Sequence, residues 1–495
     1  MRRCRIGLML FLTSLAAFTA DAKANATIPS PKYAAAMLPV STRSPRARKL
    51  FEHAMKNMEF IRQAEALDDL RNASRADPTF AQSLIMICHL SSEPEEQISS
   101  CKRAMQLESK VNYSERLLIR WLAGAHESNY VPAIAAMNDL LSKYPRDQRL
   151  GFLAGRWLVH QERYTQAIVV LERAVTLSPN YPAAINELGY AYGYSGDFNK
   201  AFAMMERYVA LQPTQPNPYD SYGELLRLAG KFDAALQRYR MSVKLDPGFG
   251  SELGIADTYA LMGKEEEARQ EYARAKLFVK SENHRVEYEL YSAFTFIRED
   301  DQKQAKVALL DVSKHAHAIG NGRLEAEAHR VLAMYEPDYE AAAKQLLAAE
   351  EALDEGHQIS KSDFYDEEAG ILRVRVARAS AAQTMDVASN ALGMLETMAE
   401  RSRSPVIQTS YHAAVGALLM AEHKYAGAIP HLQEDSQSPL SMQLLWRAYV
   451  ASGALPEARV VETRLATLNV PTAEQALVVP QFRASLVSQA GLPQR

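Results

Sequence analysis

The sequence predicts an all-α protein, a right-handed solenoid of about twelve antiparallel helix pairs. Three observations support this fold class. Prolines recur every 34 residues, at Pro145, Pro179, Pro213 and Pro247. Two further columns of residues repeat in the same register. One is aromatic (Tyr130, Tyr164, Phe198, Phe232) and the other is alanine (Ala133, Ala167, Ala201, Ala235). Self-similarity at such a period is typical of repeat architectures in which each unit is one supersecondary motif.

The N-terminal residues 1–24 are predicted to be a secretory signal peptide. The positively charged MRRCR precedes the apolar run IGLMLFLTSLAAF, and small residues then favour cleavage after Ala22 or Ala24. The alternative is an uncleaved anchor, but this run is shorter than the ~20 residues that span a bilayer. We therefore expect an exported protein, periplasmic or secreted, without stable membrane insertion of the mature chain. Residues 25–45 contain four prolines and are expected to form a flexible lead.

Each repeat unit is predicted to be a helix, a tight turn and a second helix. In PAAINELGYAYGYSG, Ile185 and Tyr192 lie on one stripe of a helix. Gly196 stands where a helix often ends in a left-handed residue, and Asp197 can cap the next helix. Pro213 then stops the second helix, because it lacks a backbone donor and restricts the residue before it.

These columns resemble the tetratricopeptide repeat (TPR) family, whose unit is an antiparallel helix pair of 34 residues. The residues that match its signature are Gly155, Leu158, Ala167, Leu171, Ala174 and Pro179 in one unit, Leu188, Gly189, Tyr192, Ala201 and Pro213 in the next, and Tyr222, Gly223, Leu226, Ala235 and Pro247 in the third. Such columns are packing positions, so they predict the fold and leave the partner open.

The register divides the chain into a regular and a looser part. The regular array is expected over residues 46–281. From 282 to 470 the unit lengths vary, but an apolar residue followed three later by alanine recurs, which predicts about five degenerate pairs. These positions are Tyr339 and Ala342, Tyr425 and Ala428, and Leu455 and Ala458. Residues 471–495 are expected to cap the last helix or to form a tail.

Two cysteines remain after the predicted signal peptide, and they form a possible disulfide. Cys88 falls in the glycine column that contains Gly189, and Cys101 falls in or beside the alanine column that contains Ala201. These columns face each other within a pair, so the two Cβ atoms can approach to the ~3.8 Å that a disulfide needs. The alternative is two separate buried thiols.

Composition and motifs argue against catalysis and against nucleic acid. The formal net charge is -3, so the chain offers no excess of Lys and Arg for phosphates. The phosphate-loop, zinc-protease, serine-hydrolase and C-x-x-C patterns are absent from the sequence. His315 and His317 point apart on a predicted helix and cannot share a metal. We expect no enzymatic activity, no cofactor and no metal.

The resemblance implies a concave groove lined by the first helix of each unit. The groove columns hold Arg149, Phe152, Arg156, His160, Asn186, Tyr190, Tyr194, Asn217, Asp220, Glu224, Arg227 and Asp257. Guanidinium, amide and tyrosine groups suit an extended peptide. Chaperone-binding members of the family clamp a C-terminal carboxylate, but Asp220 would repel such a ligand here. Gly193 is expected to face the groove beside Tyr190 and Tyr194.

The function expected from these features is a non-catalytic scaffold in the bacterial cell envelope. It would bind a protein partner or a peptide segment along the groove. One alternative is a periplasmic sensor whose groove closes around a peptide or a glycan. Another is a regulatory subunit of an envelope enzyme or signalling complex. A polar solenoid surface without a dedicated ligand remains the alternative to any binding site.

Overall fold

The computed structural model describes residues 37–279, 281–356 and 359–490, so the predicted signal peptide lies outside the described residues. Within these ranges the chain forms twenty-five α-helices and no strand. Twelve helix pairs are followed by a single last helix, which confirms the predicted fold class. The helices are α1 (Pro45–Glu59), α2 (Gln63–Ala76), α3 (Ala81–Leu90), α4 (Pro94–Gln106), α5 (Tyr113–His126), α6 (Tyr130–Lys143), α7 (Gln148–His160), α8 (Tyr164–Leu177), α9 (Pro182–Tyr194), α10 (Phe198–Leu211), α11 (Asn217–Leu228), α12 (Phe232–Leu245), α13 (Ser251–Leu261), α14 (Glu265–Ala275), α15 (Glu282–Arg298), α16 (Gln302–Ala318), α17 (Gly322–Tyr335), α18 (Tyr339–Glu355), α19 (Lys361–Ala381), α20 (Met385–Arg401), α21 (Pro405–Ala421), α22 (Tyr425–Glu434), α23 (Pro439–Ala451), α24 (Leu455–Ala466) and α25 (Ala473–Ala490).

The aromatic column marks the first residue of the second helix in each regular pair. Tyr130, Tyr164, Phe198 and Phe232 begin α6, α8, α10 and α12. The same junction survives in the looser half, where α18, α22 and α24 begin at the predicted apolar positions. The repeated prolines stand two residues beyond the ends of α6, α8, α10 and α12, because a helix rarely continues up to the residue before proline.

The turn between α9 and α10 has the predicted construction. Gly196 adopts φ +89°, in the left-handed region that favours glycine. The Asp197 side chain accepts a hydrogen bond from the backbone N–H of Lys200 and caps α10. The Tyr192 hydroxyl donates to Glu172 on α8, so this tyrosine packs between two units. Gly193 differs from the expectation, because a Cβ there would lie 2.5 Å from Leu225 Cδ2 and the residue therefore packs against the next unit.

Small residues allow the two helices of a pair to touch. Ala133, Ala167, Ala201 and Ala235 are completely buried. A Cβ added to Gly155 would lie 2.3 Å from Leu171 Cγ on the partner helix. The glycine and alanine columns are therefore packing positions in the structure.

We expect Ala201→Leu to lower the free energy of unfolding by about 1–3 kcal/mol, because the larger side chain overpacks the contact between α9 and α10. Ala203→Leu is the matched control, since Ala203 lies on the same helix but is exposed. It should change stability by less than about 0.5 kcal/mol. Urea unfolding followed by circular dichroism compares the two variants, and equal midpoints would contradict the assignment of Ala201.

Helix length explains why the register fades after residue 281. The second helices of the third to sixth pairs have 14 residues each. By contrast, α15, α16, α18, α20 and α21 have 17 residues, and α19 has 21. Longer helices preserve the pair but abolish the 34-residue spacing.

The segment that precedes α1 is anchored where the structure describes it. The Leu38 backbone N–H donates to Asp147 Oδ2 at 2.7 Å. The Thr42 hydroxyl donates to Asp77 Oδ2 at 2.6 Å. Leu38 and Thr42 therefore contact side-chain acceptors of distant units, and the flexible lead expected over residues 25–45 stays a prediction. Residues 25–36 lie outside the described residues.

The superhelix brings distant parts of the chain into contact. The last helix α25 packs against α15 as well as against α23 and α24. The Asn469 side-chain amide donates to the Leu228 carbonyl oxygen at 3.5 Å. Lys361 Nζ lies 2.7 Å from Glu127 Oε2, which joins α19 to the end of α5. The two halves of the solenoid therefore touch across its interior.

A disulfide joins α3 to α4. Cys88 and Cys101 are both buried, and their Cα atoms are 5.0 Å apart.

Among the helices of the described residues, none is both long and apolar enough to span a membrane.

Candidate functional site

Two adjoining cavities collect ten of the twelve predicted groove residues. The first, about 210 Å³ and here called the Asn186 cavity, is lined by Phe152, Arg156, Asn186, Tyr190, Asn217 and Asp220. The second, about 380 Å³ and here called the Arg227 cavity, is lined by Tyr194, Glu224, Arg227 and Asp257. These residues lie on α7, α9, α11 and α13, the first helices of four successive pairs.

The other two predicted groove residues lie outside these cavities. Arg149 Nε is 2.7 Å from Glu59 Oε1, so its guanidinium binds the end of α1. His160, the last residue of α7, is exposed.

Arg227 and Asp257 bind each other. Arg227 Nη1 is 3.0 Å from Asp257 Oδ2, and the Tyr272 hydroxyl donates to Asp257 Oδ1 at 2.6 Å. Both charged residues are 7% exposed. The pair therefore stabilises the contact between α11 and α13 and offers little of its charge to a partner.

Two tyrosines of α9, Tyr190 and Tyr194, form a stacked pair on one carboxylate. The hydroxyls of Tyr190 and Tyr194 donate to Glu224 at 2.7 and 3.4 Å. Their ring centroids are 5.8 Å apart with nearly parallel planes. Burial, together with Glu224, raises the pKa of Tyr190. Tyr194 remains 37% exposed, so it presents an aromatic surface for stacking beside the Arg227 cavity.

Two carboxylates of the Asn186 cavity are held in surroundings that disfavour charge. Burial raises the pKa of Asp220 to about 7, although the Ser251 hydroxyl donates to its Oδ1 at 2.6 Å. Burial also raises the pKa of Glu187, whose Oε1 is 3.8 Å from Arg156 Nε. Removing a carboxylate from water favours its neutral form.

We expect Asp220→Asn to stabilise the protein more at pH 8 than at pH 5. The folded pKa of Asp220 lies above its unfolded value, so the folded state holds the extra proton between about pH 4 and about pH 7. The protonated Asp220 side chain therefore stabilises the folded state at low pH, and this stabilisation is lost as pH rises through about 7. Unfolding in urea at pH 5, 6.5 and 8 measures the difference between variant and wild type, with Asp233→Asn at an exposed position of α12 as control. A difference that does not grow with pH would contradict the raised pKa.

Sequence reasoning missed part of the Asn186 cavity. Glu187 lines it, and a signal existed, because its column holds apolar Leu153 and Ile255 one unit before and two units after. Met58 on the last turn of α1 and Ile61 in the turn that follows α1 also line the cavity. No spacing within the repeat predicts that approach, which depends on the curvature accumulated over several pairs.

Comparisons with known proteins agree with this architecture. A family model described as TPR repeat matches residues 155–196, and one described as tetratricopeptide repeat matches residues 182–215. No curated protein matches the sequence.

Several solved structures are similar to parts of the chain. The APC/C hetero-tetramer Cut9-Hcn1 has 16% identity, covers 81% of this chain and 76% of its own, and gives a TM-score of 0.37. A MamA structure has 21% identity over 33% of this chain and 89% of its own, with a TM-score of 0.28. PilW, described as a widely conserved type IV pilus biogenesis factor, has 16% identity over 47% of this chain and 92% of its own, with a TM-score of 0.28. At these values the likeness carries no argument about function.

The family matches fall on α7 to α10, the region where the glycine, alanine and proline columns are complete. The helix pairs on both sides repeat the same junction. Residues 155–215 of the chain therefore match tetratricopeptide repeats, within a longer array of helix pairs of the same construction.

Proposed function

We propose that the protein is a non-catalytic scaffold of the bacterial cell envelope that binds a peptide segment of a partner protein on its concave face. The observation that carries this proposal is the pair of adjoining cavities. Polar and aromatic side chains from four successive first helices converge there, within reach of one extended segment. Tyrosine and arginine, like tryptophan, are enriched where binding energy concentrates in protein interfaces.

The chemistry of the cavities supports recognition of a segment rather than a reaction. The Tyr190–Tyr194 stack gives a rigid surface, and Asn186 and Asn217 add amides. Aromatic side chains supply contact area at low conformational cost, and amides supply hydrogen bonds that fix the register of a backbone.

Site-specific photo-crosslinking in the native cells tests the scaffold. A photoreactive phenylalanine analogue placed at Tyr194 should capture a discrete protein, identified by mass spectrometry. Val169 on α8 is the matched control, because it is 64% exposed on the second helix of a pair. Adducts that are the same from both positions, or only abundant unrelated proteins, would contradict a partner on the concave face.

The envelope location is a separate part of the proposal. The signal-peptide pattern of residues 1–24 supports it, and a Cys88–Cys101 bridge suits an oxidising compartment. Fractionation followed by N-terminal sequencing should find a mature chain that begins at Lys23 or Asn25. Recovery of the intact N-terminus in the cytoplasmic fraction would contradict export.

A ligand sensor is the second candidate, and one observation favours it. A cavity of about 1250 Å³ lies between the first half of the solenoid and its end, lined by Tyr164, Tyr194, Arg330 and Arg464 among others. A ligand that fills it would touch both halves and alter the superhelix. Thermal-shift screening with short peptides and oligosaccharides tests this candidate, and it loses support if no ligand shifts the transition while the crosslinked partner is recovered.

A further inference from the structure

The Asn186 cavity contains a buried acceptor without a donor. Asn186 is only 5% exposed, and its Oδ1 has no hydrogen-bond partner within the described part of the chain. Asn186 is one of the residues that line the cavity. Buried polar atoms are nearly always paired, so an orphaned acceptor at a cavity wall indicates a donor that is supplied from outside the chain.

Acidic side chains outnumber basic ones around this acceptor. The carboxylates of Glu187 and Asp220 line the same cavity, and Arg156 is its one guanidinium. Arg156 lies 3.8 Å from Glu187 and offsets that charge. Asp220 accepts its hydrogen bond from the uncharged Ser251 hydroxyl, so its carboxylate, when ionised, forms no ion pair with the residues that line the cavity.

Apolar side chains complete the walls. Met58 on the last turn of α1, Ile61 in the turn that follows it and Phe152 on α7 all line the cavity. A space of about 210 Å³ that combines amide and carboxyl oxygens with apolar walls suits a compact charged head on an alkyl stem.

We propose that the Asn186 cavity binds a primary alkylammonium group, which donates to Asn186 Oδ1 and faces the Asp220 carboxylate while its stem packs on the apolar walls. An ammonium carries three donors and no acceptor, which complements this lining. A carboxylate would be repelled by Asp220. A planar guanidinium is matched best by the two oxygens of one carboxylate, whereas these acceptors come from two separate side chains.

The source of the ammonium rests on the proposed function. If the groove binds a peptide segment, the group is the side chain of a lysine in that segment. The same chemistry would admit a free alkylamine, so the experiment separates the two sources.

Binding of n-pentylammonium to the full mature chain, measured by isothermal titration calorimetry, tests the site. We expect it to bind at least tenfold more tightly than n-pentanol and n-pentanoate. Asp220→Asn keeps the shape but removes the charge, and Asn186→Leu removes the acceptor; each should weaken n-pentylammonium at least tenfold. Asn180→Ala, at an exposed position just before α9, is the control and should bind as wild type. Equal binding of pentanol and pentylammonium, or unaltered binding by Asp220→Asn, would overturn the proposal.

A second titration separates the sources. The blocked peptide Gly-Gly-Lys-Gly-Gly is compared with versions that hold Nε-acetyl-lysine or norleucine at its centre. At least tenfold preference for lysine supports a peptide source, and binding of n-pentylammonium alone supports a free amine. If neither probe binds while the Tyr194 crosslink persists in Asp220→Asn, ammonium recognition fails and the scaffold function stands.

Discussion

Arg227→Met is expected to lower the local free energy of unfolding of α11 and α13 by about 3–5 kcal/mol. The substitution keeps an unbranched side chain of similar reach but removes the charge that faces Asp257 at 3.0 Å. Asp257 is 7% exposed and retains only the hydroxyl of Tyr272 as a donor. An uncompensated buried carboxylate costs more than the pair contributes, so the loss exceeds that of an exposed salt bridge.

Hydrogen exchange followed by mass spectrometry is the suitable measurement, because stability in a repeat array is a sum of unit and interface terms rather than one global value. Arg240→Met on α12 is the matched control, since Arg240 is exposed and donates only to the Tyr259 hydroxyl. The double variant Arg227→Met and Asp257→Asn removes both charges and should recover most of the loss. Protection of α11 that is unchanged by Arg227→Met would show that the buried pair does not stabilise this interface.

The sequence predicts the local construction of the repeat well, for a physical reason. The junction residue Phe198, the cap Asp197 and the stop at Pro213 act within a few residues of their own position. Each is readable from one stretch of chain, because a cap or a proline works on the adjacent turn of helix. The structure places each of them in its predicted role.

The shape of the groove was less predictable, because it depends on contacts between distant units. The spacing assigned Arg227 and Asp257 to the groove surface, but neighbouring helices bring them together as a buried pair. The Asn469 amide meets the Leu228 carbonyl 241 residues away. Such contacts follow from small rotations that add up over many pairs, and no single unit of the sequence encodes them.

Replacing both cysteines by alanine is expected to lower the free energy of unfolding of α3 and α4 by about 3 kcal/mol under non-reducing conditions. Cys88 and Cys101 are 13 residues apart in sequence, and closing a loop of this length restricts the unfolded chain by about that amount. The second pair needs the bridge more than its neighbours do. Its first helix, α3, has only 10 residues, and Ser91 leaves it with extended backbone rather than through a left-handed turn residue.

The wild-type protein with a reduced disulfide is the internal control, because it keeps both sulfur atoms but lacks the covalent bond. We expect hydrogen exchange of α3 and α4 to accelerate on reduction and to approach that of the alanine variant, while exchange of α9 and α10 stays constant. The variant should be insensitive to the reductant. Two separate buried thiols predict the opposite result, in which reduction changes nothing and the variant loses only the packing of two small side chains.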